Sequence, residues 1–176
     1  MFFDMIDLTQ DAKPNPGHIG MGDMEKKGFL KAVITQNIDN LHQEGGSKRV
    51  IEYHGSTSGL ECLQCDIKYK SSEFDTTKRT VPRCSCGKIL KPSVIFFGEA
   101  IPPQALVESQ QLAEKADVVL VAGTSAVVYP AASIPYIAKE HGAKVVEFNL
   151  EKTGLTNKIT DYFIQGPTGE TIPKVV

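Results

Sequence analysis

No stretch of this 176-residue chain is apolar for long enough to cross a bilayer, so a membrane protein is not expected. No block of lysine or arginine stands out either. With 19 basic against 21 acidic residues the formal net charge is −2, and binding driven by neutralising nucleic-acid phosphates is not expected. The opening residues MFFDMIDLTQD lack a basic stretch and carry Asp4 and Asp7, which does not suit a secretory leader, so the expected location is the cytoplasm. Internal repeats and low-complexity tracts are missing. Cysteine is scarce, and four thiols in a cytoplasmic setting point to metal or redox chemistry before disulfides. A strand, Gly-rich turn and helix of the kind that receives a pyrophosphate is also missing ahead of Lys31. Gly17, Gly20, Gly22 and Gly28 lie there without a preceding apolar strand, and Gly20 and Gly22 weaken a short helix.

What is present, 41% hydrophobic and 23% charged residues, fits one globular domain or a domain with a small insertion. Lys31–Thr35, Asp117–Ala122 and Lys144–Asn149 are short apolar runs ending in polar residues or glycine, as buried parallel strands do. Pro103 to about Ala116 carries an apolar stripe of Ala105, Leu106, Leu112, Ala113 and Ala116, which predicts a helix. A second helix is expected from Pro130 to Gly142, with Pro135 as a possible kink. Strand, helix and strand in this order make right-handed βαβ units, hence a doubly wound α/β sheet. Residues 56–89 differ in kind. They are polar, hold all four cysteines, and read as a small inserted module held together by something other than a core.

Five stretches carry chemistry. TQNIDNLH (Thr35–His42) runs from a buried strand into amides and a carboxylate, which makes it either a capped strand-to-helix turn or one wall of a polar ligand site. Cys62-x2-Cys65 and Cys84-x-Cys86 are two close thiol pairs across a spacer, a pattern that suits a structural tetrahedral zinc site, the alternative being two disulfides or unrelated thiols. Gly123-Thr124-Ser125 follows an apolar strand and offers N–H groups and hydroxyls to a phosphate, or is simply a turn. Asn149 ends the next strand, as a ligand contact or a turn residue. His54, before Gly55 at the end of the run Val50–Tyr53, is a general base or a structural histidine, whereas His18, His42 and His141 are taken as structural. Lys91–Glu99 by itself is a plain extended run.

Taken in order, KPNPGH (Lys13–His18), AVITQNIDNLHQEGGSKRVIEYHGS (Ala32–Ser56), the four cysteines, LKPSVIFFGE (Leu90–Glu99), AGTSAVVYPAA (Ala122–Ala132), FNLEKT (Phe148–Thr153) and GPTGETIP (Gly166–Pro173) resemble the sirtuin family of NAD-dependent protein-lysine deacylases. The resemblance implies a Rossmann-like doubly wound parallel sheet with a small inserted zinc-binding module. Residues 1–30 would be the helical part of the small domain, 31–55 and 90–176 the NAD-binding domain, and 56–89 the zinc module. His54 would be the general base, with Asn37 and Asp39 beside it. Gln36, Asn37, Ile38 and Asp39 would meet the nicotinamide and its ribose. Gly123, Thr124, Ser125, Asn149, Leu150, Glu151 and Thr168 would hold the phosphates, ribose and adenosine. Ile95, Phe97, Gly98, Glu99, Val128 and Tyr129 would flank an acyl-lysine protein or peptide added as an extra strand, and Cys62, Cys65, Cys84 and Cys86 would hold one structural zinc ion.

The implied reaction removes an acetyl or other acyl group from lysine and yields nicotinamide and O-acyl-ADP-ribose. The acyl oxygen would attack the anomeric carbon as nicotinamide leaves, giving an O-alkylamidate. His54 would then deprotonate a ribose hydroxyl that attacks the amidate carbon, and water would complete the release of free lysine. The family's Gly-Ala-Gly loop and Asp-Phe-Arg segment have no counterpart in these residues. The resemblance is therefore to a member shortened at its N-terminus, without its first strand and Gly-rich loop. The alternative expectation is a catalytically inactive fragment acting as a zinc-bearing peptide-binding module.

Overall fold

The computed structural model of the chain describes residues 2–9, 11–96 and 98–176. Two helices come first, α1 (Phe2–Thr9) and α2 (Pro16–Lys26). α2 starts where Asn15 Oδ1 accepts the N–H groups of Gly17 and His18, while His18 Nδ1 accepts the Asn15 N–H. This reciprocal cap satisfies donors that a helix start otherwise leaves orphaned. Gly22 earns its place in the helix by close approach, since a Cβ there would stand 2.5 Å from the Gly45 carbonyl oxygen.

β1 (Val33–Thr35) is shorter than its apolar run and is followed by α3 (Leu41–Glu44) and β2 (Val50–Glu52). β1 and β2 pair in parallel, Val33 beside Val50 and Thr35 beside Glu52. β3 (Gly55–Glu61), β4 (Lys68–Lys70) and β5 (Lys91–Val94) then form an antiparallel sheet in the order β4-β3-β5. After α4 (Pro103–Glu114) come β6 (Val118–Ala122), α5 (Ile134–Glu140), β7 (Lys144–Asn149) and β8 (Tyr162–Gln165), with α6 (Thr168–Thr171) at the end. β6, β7 and β8 are parallel and adjacent in that order.

The expected parallel α/β architecture is present, in two sheets rather than one continuous sheet. Among the described residues β1-β2 and β6-β7-β8 are not hydrogen-bonded to each other. They share a helical layer instead. Ile51 and Tyr53 from the β2 segment pack with Ala105 and Ala113 of α4 and with Ile134 and Ala138 of α5, with Ile34 and Val119 against the same cluster. The Tyr53 hydroxyl bonds to Ser109 inside this layer, and Ser109 Oγ donates to the Ala105 carbonyl at 2.6 Å. The other face of β6-β7-β8 buries Phe148 with Met24 of α2 and Ile172, each such side chain stabilising the fold by about 1.5–3 kcal/mol.

Two expectations need correction. Pro135 does not kink a helix: a 3-10 turn covers Ala131–Ser133 and α5 begins at Ile134, so Pro135 sits in the first turn, where no N–H is required. The stretch 56–89 also has a core, small as it is. Leu60, Cys62, Cys84 and Leu90 are buried together, with Tyr69 and Phe74 packed against them. No helix among the described residues is long and apolar enough to cross a membrane.

Candidate functional site

The polar turn after β1 is stitched to the start of β3. Thr57 donates both its N–H and its hydroxyl to the Ile38 carbonyl, each at 3.0 Å, and Ser56 Oγ donates to Asn40 Oδ1 at 2.7 Å. Asp39 Oδ1 accepts the Leu41 N–H at 3.0 Å and so caps α3, while Asp39 Oδ2 lies 3.4 Å from Asn37 Nδ2. Asn40 adopts a left-handed conformation, φ 62°, ahead of α3 rather than within it. Thus Gln36, Asn37, Ile38 and Asp39 form one short, hydroxyl-braced wall at the carboxyl end of a parallel strand.

His54 joins that wall. Its Nδ1 is 2.9 Å from the Gln36 carbonyl oxygen, and its own carbonyl accepts the Ile95 N–H at 2.9 Å. A carbonyl only accepts, so Nδ1 carries the proton and Nε2 of the neutral ring keeps its lone pair. Gly55 is obligatory beside it: φ is +65°, and a Cβ would fall 1.8 Å from the Ser93 carbonyl oxygen. Behind the wall, His18 and His42 meet edge to face with centroids 4.8 Å apart, and His42 Nδ1 is buried without a partner. Burial pushes both imidazoles below their ordinary value, while the Asp39 carboxylate pulls each the other way.

A second group gathers at the ends of β6, β7 and β8. An open cleft of about 520 Å³ is lined by Gly123, Asn149, Leu150, Thr168, Gly166 and Asn15, among others. Gly123 takes φ +60° and its Cβ position faces Thr168 Cγ2 at 3.5 Å, so bare backbone is presented there. Asn149 Nδ2 donates to the Thr124 carbonyl at 2.8 Å and joins the two strand ends. Thr124 Oγ1 is engaged by the Ala126 N–H, and Ser125 and Glu151 are exposed near the cleft without lining it. The 36–39 turn and His54 do not line it either, so the sequence-predicted nucleotide residues fall into two groups.

The four cysteines do come together. Their ligand atoms lie within 4.8 Å of one another, with Cys62–Cys86 at 3.6 Å, Cys65–Cys84 at 3.5 Å and Cys65–Cys86 at 3.8 Å. Four zinc–sulfur bonds of about 2.3 Å make a tetrahedron with edges of about 3.8 Å, so the donor set fits that ion. Two tight turns aim the thiols: Asp66 N–H reaches the Cys62 carbonyl and Gly87 N–H the Cys84 carbonyl. The Cys86 amide, and after it the Tyr69 hydroxyl, bring the Cys84 thiol down to about 6. All four are free cysteines, which removes the disulfide alternative.

Of the residues expected to flank a peptide, Ile95 follows β5 beside His54, and Gly98 and Glu99 are exposed. Glu99 Oε2 accepts from the Phe96 N–H and Lys91 Nζ, each at 2.9 Å. Phe97 lies outside the described residues. Val128 and Tyr129 are exposed at 48% and 70%. Residue reasoning missed Asn15, Gly166 and Gly169 as cleft residues. The signal available for the last two was the glycine-bracketed GPTG after an apolar run. Asn15 had none, because its place depends on α2 packing against α6.

Comparison with known proteins identifies the family. The Sir2 family model matches residues 1–130. An NAD-dependent protein deacylase of Pyrococcus furiosus is 51% identical over 171 residues, 94% of this chain and 68% of that protein. The structure of a Sir2 homologue mutant–ADP ribose complex superposes with a TM-score of 0.91 at 39% identity, over 99% of this chain and 70% of that one. A Sir2–p53 peptide–NAD+ structure gives 0.88 at 38% identity, over 97% and 72%. The chain therefore spans about two thirds of the length of the curated relatives it matches. On the family model and on that identity, the chain belongs to the Sir2 family.

Proposed function

We propose that this chain removes acyl groups from protein lysine in an NAD-dependent reaction, giving nicotinamide and O-acyl-ADP-ribose. The carrying observation is the bond between His54 Nδ1 and the Gln36 carbonyl, which ties the histidine to the 36–39 wall and leaves the lone pair on Nε2. When bound, NAD would supply an anomeric carbon that exchanges nicotinamide for the acyl oxygen and a ribose hydroxyl that takes over the acyl group, with one water consumed as free lysine is released. His54 accepts that hydroxyl's proton at Nε2. Asp39 Oδ2 makes a long contact to Asn37 among the described residues and is proposed to accept an amide N–H₂, while Gln36 and Ile38 shape the same wall. Asn37 offers its amide to ribose hydroxyls. Gly123, Thr124, Ser125, Asn149, Leu150, Glu151 and Thr168 serve the phosphate and adenosine side.

An acyl-lysine peptide is proposed to lie as an added strand between the Ile95–Glu99 and Val128–Tyr129 segments, close to His54. Zinc held by Cys62, Cys65, Cys84 and Cys86 is proposed to be structural, since four thiolates close the coordination shell and leave no site for substrate.

One observation favours a second reading, a zinc-bearing peptide-binding module without catalysis: the nucleotide cleft is not lined by the wall that holds His54. Incubating the chain with NAD and an acetyl-lysine peptide separates the two. Nicotinamide release in step with peptide deacetylation supports the enzyme. Peptide binding without either product supports the module.

A further inference from the structure

β7 carries one buried ionisable group, and the proposed reaction does not use it. Glu147 is fully buried, on the face of β7 that it shares with Val145. A carboxylate in such a place needs several donors. It has three, all hydroxyls: Thr153 Oγ1 at 2.5 Å, Thr156 Oγ1 at 2.8 Å and Thr160 Oγ1 at 2.9 Å. All three threonines belong to the segment that leaves β7 at Asn149 and returns as β8 at Tyr162.

The same hydroxyls brace the segment internally. Thr153 Oγ1 also accepts the Leu155 N–H at 3.1 Å, and Thr156 Oγ1 accepts the Thr153 N–H at 2.9 Å. Leu155 is then driven into a cluster with Val121 and Val145. The front of the segment is Asn149 and Leu150, and both line the cleft. Leu150 is 60% exposed and holds its place by its backbone, the N–H to Asn149 Oδ1 and the carbonyl to Gln165 Nε2. An exposed side chain adds little packing to that rim, so beside these bonds it is the anchoring of the segment behind it that limits its movement.

We propose that Glu147 is a positioning residue for the nucleotide. Its carboxylate gathers Thr153, Thr156 and Thr160 and holds Asn149 and Leu150 ready at the cleft before ligand arrives, so that binding does not have to order them. This rests on the reading that the cleft takes the ADP-ribose part of NAD.

The test uses the full chain with Glu147→Gln, Thr153→Val and Thr153→Ser, the last keeping the hydroxyl. Three quantities are measured: amide hydrogen exchange over residues 150–160, ADP-ribose affinity by calorimetry, and KM for NAD against kcat. Losing a hydrogen bond to a charged group predicts, for Glu147→Gln and Thr153→Val, exchange about tenfold faster and ADP-ribose binding about tenfold weaker. KM for NAD rises with them while kcat stays within about twofold, because no group touching the reacting atoms has changed. Thr153→Ser restores all three. Should Glu147→Gln fail to fold, the Thr153 pair decides alone. Unchanged exchange in folded Thr153→Val overturns the anchor, and faster exchange with unchanged ADP-ribose affinity overturns the positioning role. Wild-type chain that binds no ADP-ribose overturns the reading of the cleft instead, a different failure seen before any variant is compared.

Discussion

His54 Nδ1 and the Gln36 carbonyl oxygen stand 2.9 Å apart, and the direction of that bond decides what the histidine can do. With Nδ1 as donor, the neutral ring has its lone pair on Nε2, turned away from the turn that holds it. Nitrogen-15 spectra of the imidazole should therefore report the Nδ1–H tautomer in neutral solution. A dominant Nε2–H form would contradict the assigned base.

Gly55 cannot be replaced. The left-handed backbone and the clash that an added Cβ would make with the Ser93 carbonyl oxygen both stand against a side chain, so Gly55→Ala should cost more than about 2 kcal/mol in urea unfolding. A loss below about 0.5 kcal/mol would mean that β3 and β5 are not packed as described.

Zinc content is a direct count. The purified chain should carry one zinc ion, and Cys65→Ala should lower that content and the melting temperature together. Removing the ion with a chelator should expose four thiols to titration and loosen the Leu60 and Leu90 core, since metal-binding energy in a small module is folding energy. Full thermal stability in metal-free protein would rule out a structural role.

Acidity should weaken the fold through the His18–His42 pair. Both imidazoles lie below the ordinary 6.5 in the folded chain, so the unfolded chain takes up protons first as pH falls. Stability is then level above about pH 6.5 and declines below it. Asp161, held well down by Lys139 and by the Val145 N–H, adds its own loss as pH falls through the ordinary 3.8 and below. His42→Gln should flatten the decline between pH 6.5 and 5, as followed by urea unfolding. An unchanged slope would place the titration elsewhere.

Much of this was legible residue by residue. The runs ending at Thr35, Ala122 and Asn149 are strands because each is mainly apolar, Glu147 being the exception within the last, and stops at polar groups or glycine at the strand's carboxyl end. The cysteine spacing led to the observed cluster. β3 was not legible, because GSTSGLE has no apolar alternation and only Thr57 as a β-branched residue, and becomes a strand only through pairing with β4 and β5. Pro135 misled because the 3-10 turn ahead of it shifts the helix start by four residues. The division between the β1-β2 and β6-β7-β8 sheets was hidden as well, since it depends on which distant strands pair. The role given to Glu147 needed coordinates, because its three donors lie 6, 9 and 13 positions away.

The most direct measurement is NAD-dependent deacetylation of an acetyl-lysine peptide by the wild-type chain and by His54→Ala, with zinc content and fold verified in both. The predicted result is paired release of nicotinamide and free lysine by the wild type, reduced at least about a hundredfold in the variant. Equal rates from the two proteins would contradict the role of His54, and no NAD-dependent product from the wild type would contradict the enzyme.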